Sequence, residues 1–284
     1  MEIIRIPTIM QQTSLEYLKK GKTIGFVPTM GALHEGHLSL MRRAKGENDI
    51  TTVSIFVNPI QFGPSEDFER YPRDIEGDLG KLQTEKVDII FMPEISLMYP
   101  ERFLTYVEVD EISGRLCGAF RPKHFRGVAT VVTKLLNIVK PTKVYFGQKD
   151  FQQSVIVKQL VKDLSIDVDV IVCPTIREPD GLAMSSRNNY LTKEQRKAAT
   201  FIYKCLKEAS DLIKSGKIDG TYIKGFMQER ILKMPGISSI DYAGVYDIET
   251  MVEVSEIKED ILLAVALKIG NTRLIDNMLV TMVK

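Results

Sequence analysis

Residues 22–41 read KTIGFVPTMGALHEGHLSLM. Residues 23–27 form a short apolar run with β-branched members, the pattern of a strand buried on both faces of a parallel sheet. Pro28 has no N–H for a ladder and is expected to end that strand. Gly31 permits a backbone turn or the close approach of a ligand. From about Leu33 onward, Leu33, Leu38, Leu40 and Met41 follow a loose helical spacing. The stretch therefore predicts strand, glycine turn and helix, the first βα unit of the chain.

Open α/β sheets bind ligands at the carboxyl ends of their strands. Helix N-termini there offer N–H groups and a positive dipole end to anions. This turn adds His34 and His37, spaced i and i+3, which helical geometry places on one face. Two imidazoles beside an anion-receiving turn point to phosphate chemistry, and turn chemistry alone leaves a purely structural turn equally open. A zinc centre has less behind it, because the one other histidine is the distant His124 and no cysteine pair has metal spacing.

The pattern continues on both sides of this unit. Residues 1–5 predict a short edge strand. Thr13 or Ser14 is placed to cap a helix over 15–20 that Gly21 would end. A second buried strand spans 49–57 and is broken by Asn58-Pro59. Residues 58–74 are rich in turn formers, charge and aromatics, a composition for a functional loop on a rigid scaffold. A helix over 75–85 and a strand over 87–92 follow, then a strand-like piece at 106–109 and a glycine- and arginine-rich loop at 114–127. Beyond these, a helix at 128–139, a strand at 143–146, a helix at 151–164 and a strand at 168–172 continue the alternation. Short apolar strands alternating with helices of 10–15 residues define an α/β fold with a doubly wound parallel sheet. The texture changes after Arg177. A polar loop leads to a helix opened by Thr192 and running to about Ser215, and strand-like pieces at 242–246 and 261–269 fit a smaller α+β domain. The expected organisation is a Rossmann-like domain over 1–176 and a C-terminal α+β domain over 177–284.

A chain of 284 residues with a formal net charge of +1 has the composition of an ordinary globular protein. Acidic and basic residues balance on both sides of Ile176, so neither half carries the basic footprint of a nucleic-acid binder. Cys117, Cys173 and Cys205 are isolated and odd in number, which reads as reduced thiols in a cytoplasmic protein. The N-terminus MEIIRIPTIM lacks the basic segment and apolar run of a secretory leader, and no uninterrupted apolar stretch is long enough to predict a membrane span.

Further segments carry chemistry. In NPIQFG (58–63), Gln61 is neutral and offers two donors and an acceptor. In FGQKDFQQ (146–153), Gly147 lets a ligand approach the backbone, Lys149 is a mobile point cation suited to phosphate, and Asp150 can accept from hydroxyls or cap a helix. In MSSRN (184–188), the fork of Arg187 suits bidentate phosphate contacts. No Gly-x4-Gly-Lys-Ser/Thr occurs, which argues against a P-loop enzyme.

Together with TMGALHEGH (29–37), these segments resemble the pantothenate synthetase family, whose His-x-Gly-His core marks a nucleotidyltransferase superfamily. RPKHFRG (121–127) and TRLIDN (272–277) also resemble the family pattern, which has glycine at the position of Lys123. The resemblance covers nearly the whole chain and is weakest over 195–240. It implies that ATP is bound by Met30, Gly31, Ala32, Leu33, His34, Glu35, Gly36 and His37, by Gly147, Gln148, Lys149 and Asp150, by Ile176 through its backbone, and by a phosphate loop of Met184, Ser185, Ser186 and Arg187. It assigns Gln61 and Gln153 to pantoate, Gln61 also to β-alanine, and the catalytic roles to His37, His34 and Lys149. Mg²⁺ is implied as the counter-ion of the phosphates, with no all-protein metal cage, and the C-terminal domain as a lid.

The implied reaction has two steps. The pantoate carboxylate attacks the α-phosphorus of ATP, giving pantoyl adenylate and pyrophosphate. The amine of β-alanine then displaces AMP to give pantothenate. The implied assembly is a homodimer, for which residues 51–57 offer a candidate pairing surface. Two other readings stand beside it. An adenylyl- or cytidylyltransferase would stop at the nucleotide conjugate, and a regulatory nucleotide-binding protein would bind ATP without turnover.

Overall fold

The computed structural model describes residues 1–64 and 66–282. In chain order the elements are β1 (Glu2–Ile4), α1 (Pro7–Lys19), β2 (Ile24–Thr29), α2 (Glu35–Glu47), β3 (Ile50–Ile55), α3 (Ile75–Thr84), β4 (Ile89–Phe91), the single turn α4 (Ile95–Met98), the single turn α5 (Cys117–Phe120), α6 (His124–Val139), β5 (Lys143–Gly147), α7 (Phe151–Asp163), β6 (Asp169–Cys173), α8 (Lys193–Lys214), α9 (Gly220–Leu232), β7 (Ile237–Asp247), β8 (Ile261–Ile269) and β9 (Thr272–Val280).

The chain divides into two units. The first comprises Met1–Ser113, Arg121–Gln148 and Gln153–Pro174, and the second Gly114–Phe120, Lys149–Gln152 and Thr175–Lys284. The first unit holds a six-stranded sheet in the order β1-β4-β3-β2-β5-β6, parallel throughout. From β2 the chain winds outward through β3 to β4, while β5 and β6 lie on the other side. The β2–β5 boundary is thus the switch point, where ligands enter at the carboxyl ends of the strands. Behind it, Val27, Val53, Ile90 and Tyr145 of the sheet pack with Met41 and Ala44 of α2 and Leu82 of α3. Each large apolar side chain sealed here contributes about 1.5–3 kcal/mol. The second unit carries an antiparallel sheet in the order β7-β8-β9. Leu263, Val265 and Leu267 of β8 pack with Ile202 and Leu206 of α8 and Ile223 and Met227 of α9. The predicted fold class, a doubly wound parallel sheet plus a smaller α+β part, is what the chain forms.

Several local expectations are corrected. The first helix begins at Pro7 rather than after Thr13, because proline is well suited to the first helical position and Met10 and Ser14, one turn apart, are buried. Pro28 does not end β2. The ladder with β3 continues to Thr29↔Ile55, while pairing with β5 stops at Phe26↔Val144, so Pro28 lies beyond the last β5 pair. Helix α2 starts at Glu35, two residues later than the periodicity from Leu33 implied. Residues 106–109 form no strand; the Thr130 hydroxyl accepts the Val107 N–H at 3.0 Å in place of a ladder. The loop expected at 114–127 holds α5 and the first turn of α6. Residues 51–57 are no dimerisation surface. Most of them lie in β3, which is paired on both edges by β2 and β4 and buried.

Candidate active site

The β2–α2 turn is fixed by contacts its own sequence does not reveal. The Thr29 hydroxyl donates to Ser54 O at 2.7 Å and accepts from the Gly31 N–H at 3.2 Å. Gly31 and Ala32 are both left-handed, with φ of 79° and 51°. A Cβ on Gly31 would come within 3.0 Å of Asp78 Oδ2 and 3.2 Å of Ile55 Cγ2, so glycine is required for room as well as for φ. The Asp78 carboxylate, from α3, accepts the N–H groups of Ala32 and Leu33 at 2.7 and 2.8 Å. Lys81 donates to Leu33 O at 2.8 Å. Neither Asp78 nor Lys81 stood out in the sequence.

Beyond the turn, His34 is the N-cap of α2 in extended conformation, and its carbonyl accepts the N–H groups of His37 and Leu38. The two imidazoles lie together as the i, i+3 spacing predicted, with centroids 4.1 Å apart and planes tilted by 34°. His37 Nδ1 accepts the His34 N–H at 3.4 Å, so the neutral ring carries its proton on Nε2. Glu35 pairs with Arg42, which also pairs with Glu85, and these partners push the Arg42 guanidinium pKa up.

Gln61 closes the 3₁₀ turn Pro59–Gln61. Its amide nitrogen points at Met30 Sδ, 3.2 Å away, which joins the NPIQFG segment to the histidine turn. Its Oε1 accepts from Asn58 Nδ2 at 2.9 Å. Asn58 is buried, also donates to Gly127 O at 3.1 Å, and accepts the Tyr99 hydroxyl at 2.7 Å. His124 grips the backbone of the same turn through Nδ1 and Gln61 O at 2.8 Å, while its Nε2 faces Arg121 Nη1 at 3.0 Å. A guanidinium can only donate, so Nε2 accepts and Nδ1–H donates. Arg121 in turn forms a bidentate pair with Glu66, both contacts 2.6 Å. Burial pushes the Glu66 carboxyl up, but Arg121 outweighs it and holds the pKa at about 2. Gly127 is the contact point on α6, where a Cβ would collide with the backbone of Ile60 and Gln61. Lys123 has φ 67°, which gives a physical reason for glycine at this place in the family pattern.

The segment from Gly147 to Gln153 belongs partly to each unit. Gly147 ends β5 opposite Cys173, with open space where a Cβ would stand. Gln148 and Gln153 belong with Gly147 to the first unit, and Lys149 and Asp150 to the second. Lys149 O accepts from Asn277 Nδ2 at 2.8 Å, and its ammonium lies 3.9 Å from Asp150. Gln152 is buried, with its Oε1 accepting the Cys117 N–H and its Nε2 donating to Arg115 O.

In the second unit, the segment from Ile176 to Met184 folds back on itself. Met184 N–H donates to Ile176 O, Glu178 N–H to Leu182 O, and Gly181 turns the chain at φ 94°. Ser185 then caps the 3₁₀ turn Ser186–Tyr190, its hydroxyl accepting the Arg187 N–H at 3.3 Å. Arg177, which the sequence did not single out, anchors this fold-back. It forms a bidentate pair with Asp276 at 2.6 and 3.0 Å and stacks 4.1 Å over the Tyr203 ring. Asp276 is almost wholly buried, and that burial raises its pKa against the pull of Arg177.

A doubly wound sheet whose switch-point turn carries paired imidazoles is the architecture of an α/β protein that handles a charged ligand. The profile of the pantoate-beta-alanine ligase family matches residues 2–279. A pantothenate synthetase from Thermodesulfovibrio yellowstonii is 59% identical over 282 residues, covering 99% of this chain and 100% of that protein. A crystal structure of pantothenate synthetase from Thermus thermophilus superposes with a TM-score of 0.93 at 41% identity, over 98% of this chain and 99% of that one. A pantoate-beta-alanine ligase from Francisella tularensis, crystallised in complex with β,γ-ATP and β-alanine, has a TM-score of 0.79 at 38% identity, over 98% and 97%. The chain belongs to the pantoate–β-alanine ligase family.

Proposed function

We propose that the β2–α2 turn and Gln61 form the reaction centre of a ligase that condenses pantoate with β-alanine at the expense of ATP. The family membership of the chain carries the overall reaction. The observation behind the assignment of chemistry to the turn is the His34–His37 pair. With Nδ1 of His37 accepting a backbone N–H, the neutral ring presents a donor at Nε2.

In this reading Met30–His37 receive the triphosphate. His37 donates to charge developing on the phosphates when the pantoate carboxylate attacks the α-phosphorus, and His34 supports it. Fixed donors aimed at developing charge are the main device available to such a site, because phosphoryl transfer asks little covalent work of the protein. Lys149, Ser185, Ser186 and Arg187 hold the departing pyrophosphate, and Gly147, Gln148, Asp150, Ile176 and Met184 hold the rest of the nucleotide. Gln61 and Gln153 bind pantoate without adding negative charge, and Gln61 also meets β-alanine. Displacement of AMP by the β-alanine amine completes the reaction.

Among the described residues no group of three or more His, Cys, Asp or Glu side chains is placed to hold a metal ion. Mg²⁺ in this reading enters with the ATP phosphates, whose oxygens suit a small hard cation, and supplies charge neutralisation there. The proposal extends to a cytoplasmic homodimer. Three buried, unbridged cysteines support a reducing compartment. Among the described residues no helix is long and apolar enough to cross a membrane.

Pyrophosphate exchange into ATP tests the first step. Exchange that requires pantoate supports the reading. Exchange indifferent to pantoate would assign the site to a different acid, and its absence in folded, ATP-binding protein would favour a regulatory nucleotide binder.

A further inference from the structure

Asp78 is a buried carboxylate that the proposed chemistry does not use. It is 1% exposed and sits in the N-terminal half of α3, yet both oxygens leave that helix and engage the β2–α2 turn. Lys81, one helical turn later, completes the grip: it donates to Leu33 O and lies 3.6 Å from Asp78 Oδ1. One helix therefore supplies an acceptor for two successive amides and a donor for the following carbonyl.

The turn needs this hold. Gly31 and Ala32 are consecutive left-handed residues. The alanine costs about 1–2 kcal/mol in that region, and such strain persists only where the surroundings over-determine it. Successive backbone N–H groups in a turn of this kind make a concavity that binds an anion. Here the concavity already contains one, supplied by the chain itself. The Ala32 and Leu33 amides are committed to Asp78 before any phosphate arrives.

We propose that Asp78, with Lys81, is the positioning device of the site. It fixes the turn from below as a resident anion, so that the His34–His37 pair is preset and, within Met30–His37, the triphosphate meets groups other than the backbone amides of Ala32 and Leu33. The proposal rests on the reading that these histidines face ATP. It also accounts for the glycine at position 31, where any Cβ would be driven against the Asp78 carboxylate.

The test compares Asp78→Asn, Lys81→Gln and Lys81→Arg with wild type. An amide keeps one acceptor and sets an NH₂ against a backbone N–H, so Asp78→Asn breaks the grip while keeping shape. Pantoate-dependent exchange should fall on the order of 10²-fold in kcat, the scale of a misplacement of about 1 Å. KM for pantoate should hold within about threefold, corresponding to a shift of no more than about 0.65 kcal/mol in pantoate binding. Amide resonances of Ala32 and Leu33 and the imidazole resonances of His37 should shift. Full activity per folded molecule with only a lowered Tm would overturn the proposal. If Asp78→Asn does not fold, Lys81→Gln decides: lowered kcat restored by Lys81→Arg supports it, and wild-type kcat in Lys81→Gln overturns it. A wild-type enzyme without pantoate-dependent exchange would sink the functional reading instead, and the His37 resonances would still report whether Asp78 sets the ring.

Discussion

His37 Nδ1 accepts the backbone N–H of His34, and the two rings stand 4.1 Å apart. This pairing fixes the tautomer of His37 and, with it, the direction in which the ring can donate. Replacing His37 by alanine removes the donor while leaving the helix start in place. Turnover should fall on the order of 10²–10³-fold, the range for losing one charge-stabilising donor. Steady-state exchange kinetics measure this, and a variant within a few-fold of wild type would remove His37 from the chemistry.

Asn58 orients Gln61 and is itself held by Tyr99. Asn58→Ala frees the Gln61 side chain and takes the acceptor from the half-buried Tyr99 hydroxyl. KM for pantoate should rise about tenfold, corresponding to about 1.4 kcal/mol of lost positioning. Pantoate titrations at saturating ATP check this. A change in KM for ATP alone would contradict it.

Lys123 occupies a left-handed backbone position at the start of α6. Lys123→Gly relieves that strain by about 1 kcal/mol, partly offset by the entropy glycine gains in the unfolded chain. The net effect should be a small rise in Tm by calorimetry, with exchange activity unchanged.

Glu66 and Arg121 set a pH dependence. The Glu66 pKa is lowered from its ordinary 4.5 to about 2, so the folded state favours the ionised form. Its contribution to stability is fully present above the unfolded value and is lost as pH falls through about 2. Denaturant titrations at pH values between about 4.5 and 2 should show a steeper loss of stability for wild type than for Glu66→Gln. Parallel curves would show that the pair contributes nothing.

The first βα unit was legible because three local signals agree: an apolar run, a glycine and a helical spacing within twenty residues. The sheet followed from repetition of that alternation. What the sequence hid was tertiary. Asp78 reads as one acid among Asp74 and Glu76 at a helix start, and nothing local says that its carboxylate turns toward residues 45 and 46 positions earlier. Arg177 and Asp276 are 99 residues apart and could not be paired by inspection. Helix α9 was missed because its buried stripe of Ile223, Met227 and Ile231 is masked in the sequence by glycines at 220 and 225 and by the exposed apolar residues Tyr222 and Leu232. Pro28 misled for a related reason: the rule that proline ends a strand assumes that both neighbours still need its donor.

The most direct test of the two-step account is product analysis in a single turnover. Enzyme, ATP and pantoate are mixed first, and β-alanine is added afterwards. The account predicts pyrophosphate and enzyme-bound pantoyl adenylate before the addition, then AMP and pantothenate in equal amounts after it. AMP release that ignores β-alanine, or ADP in place of AMP, would contradict it.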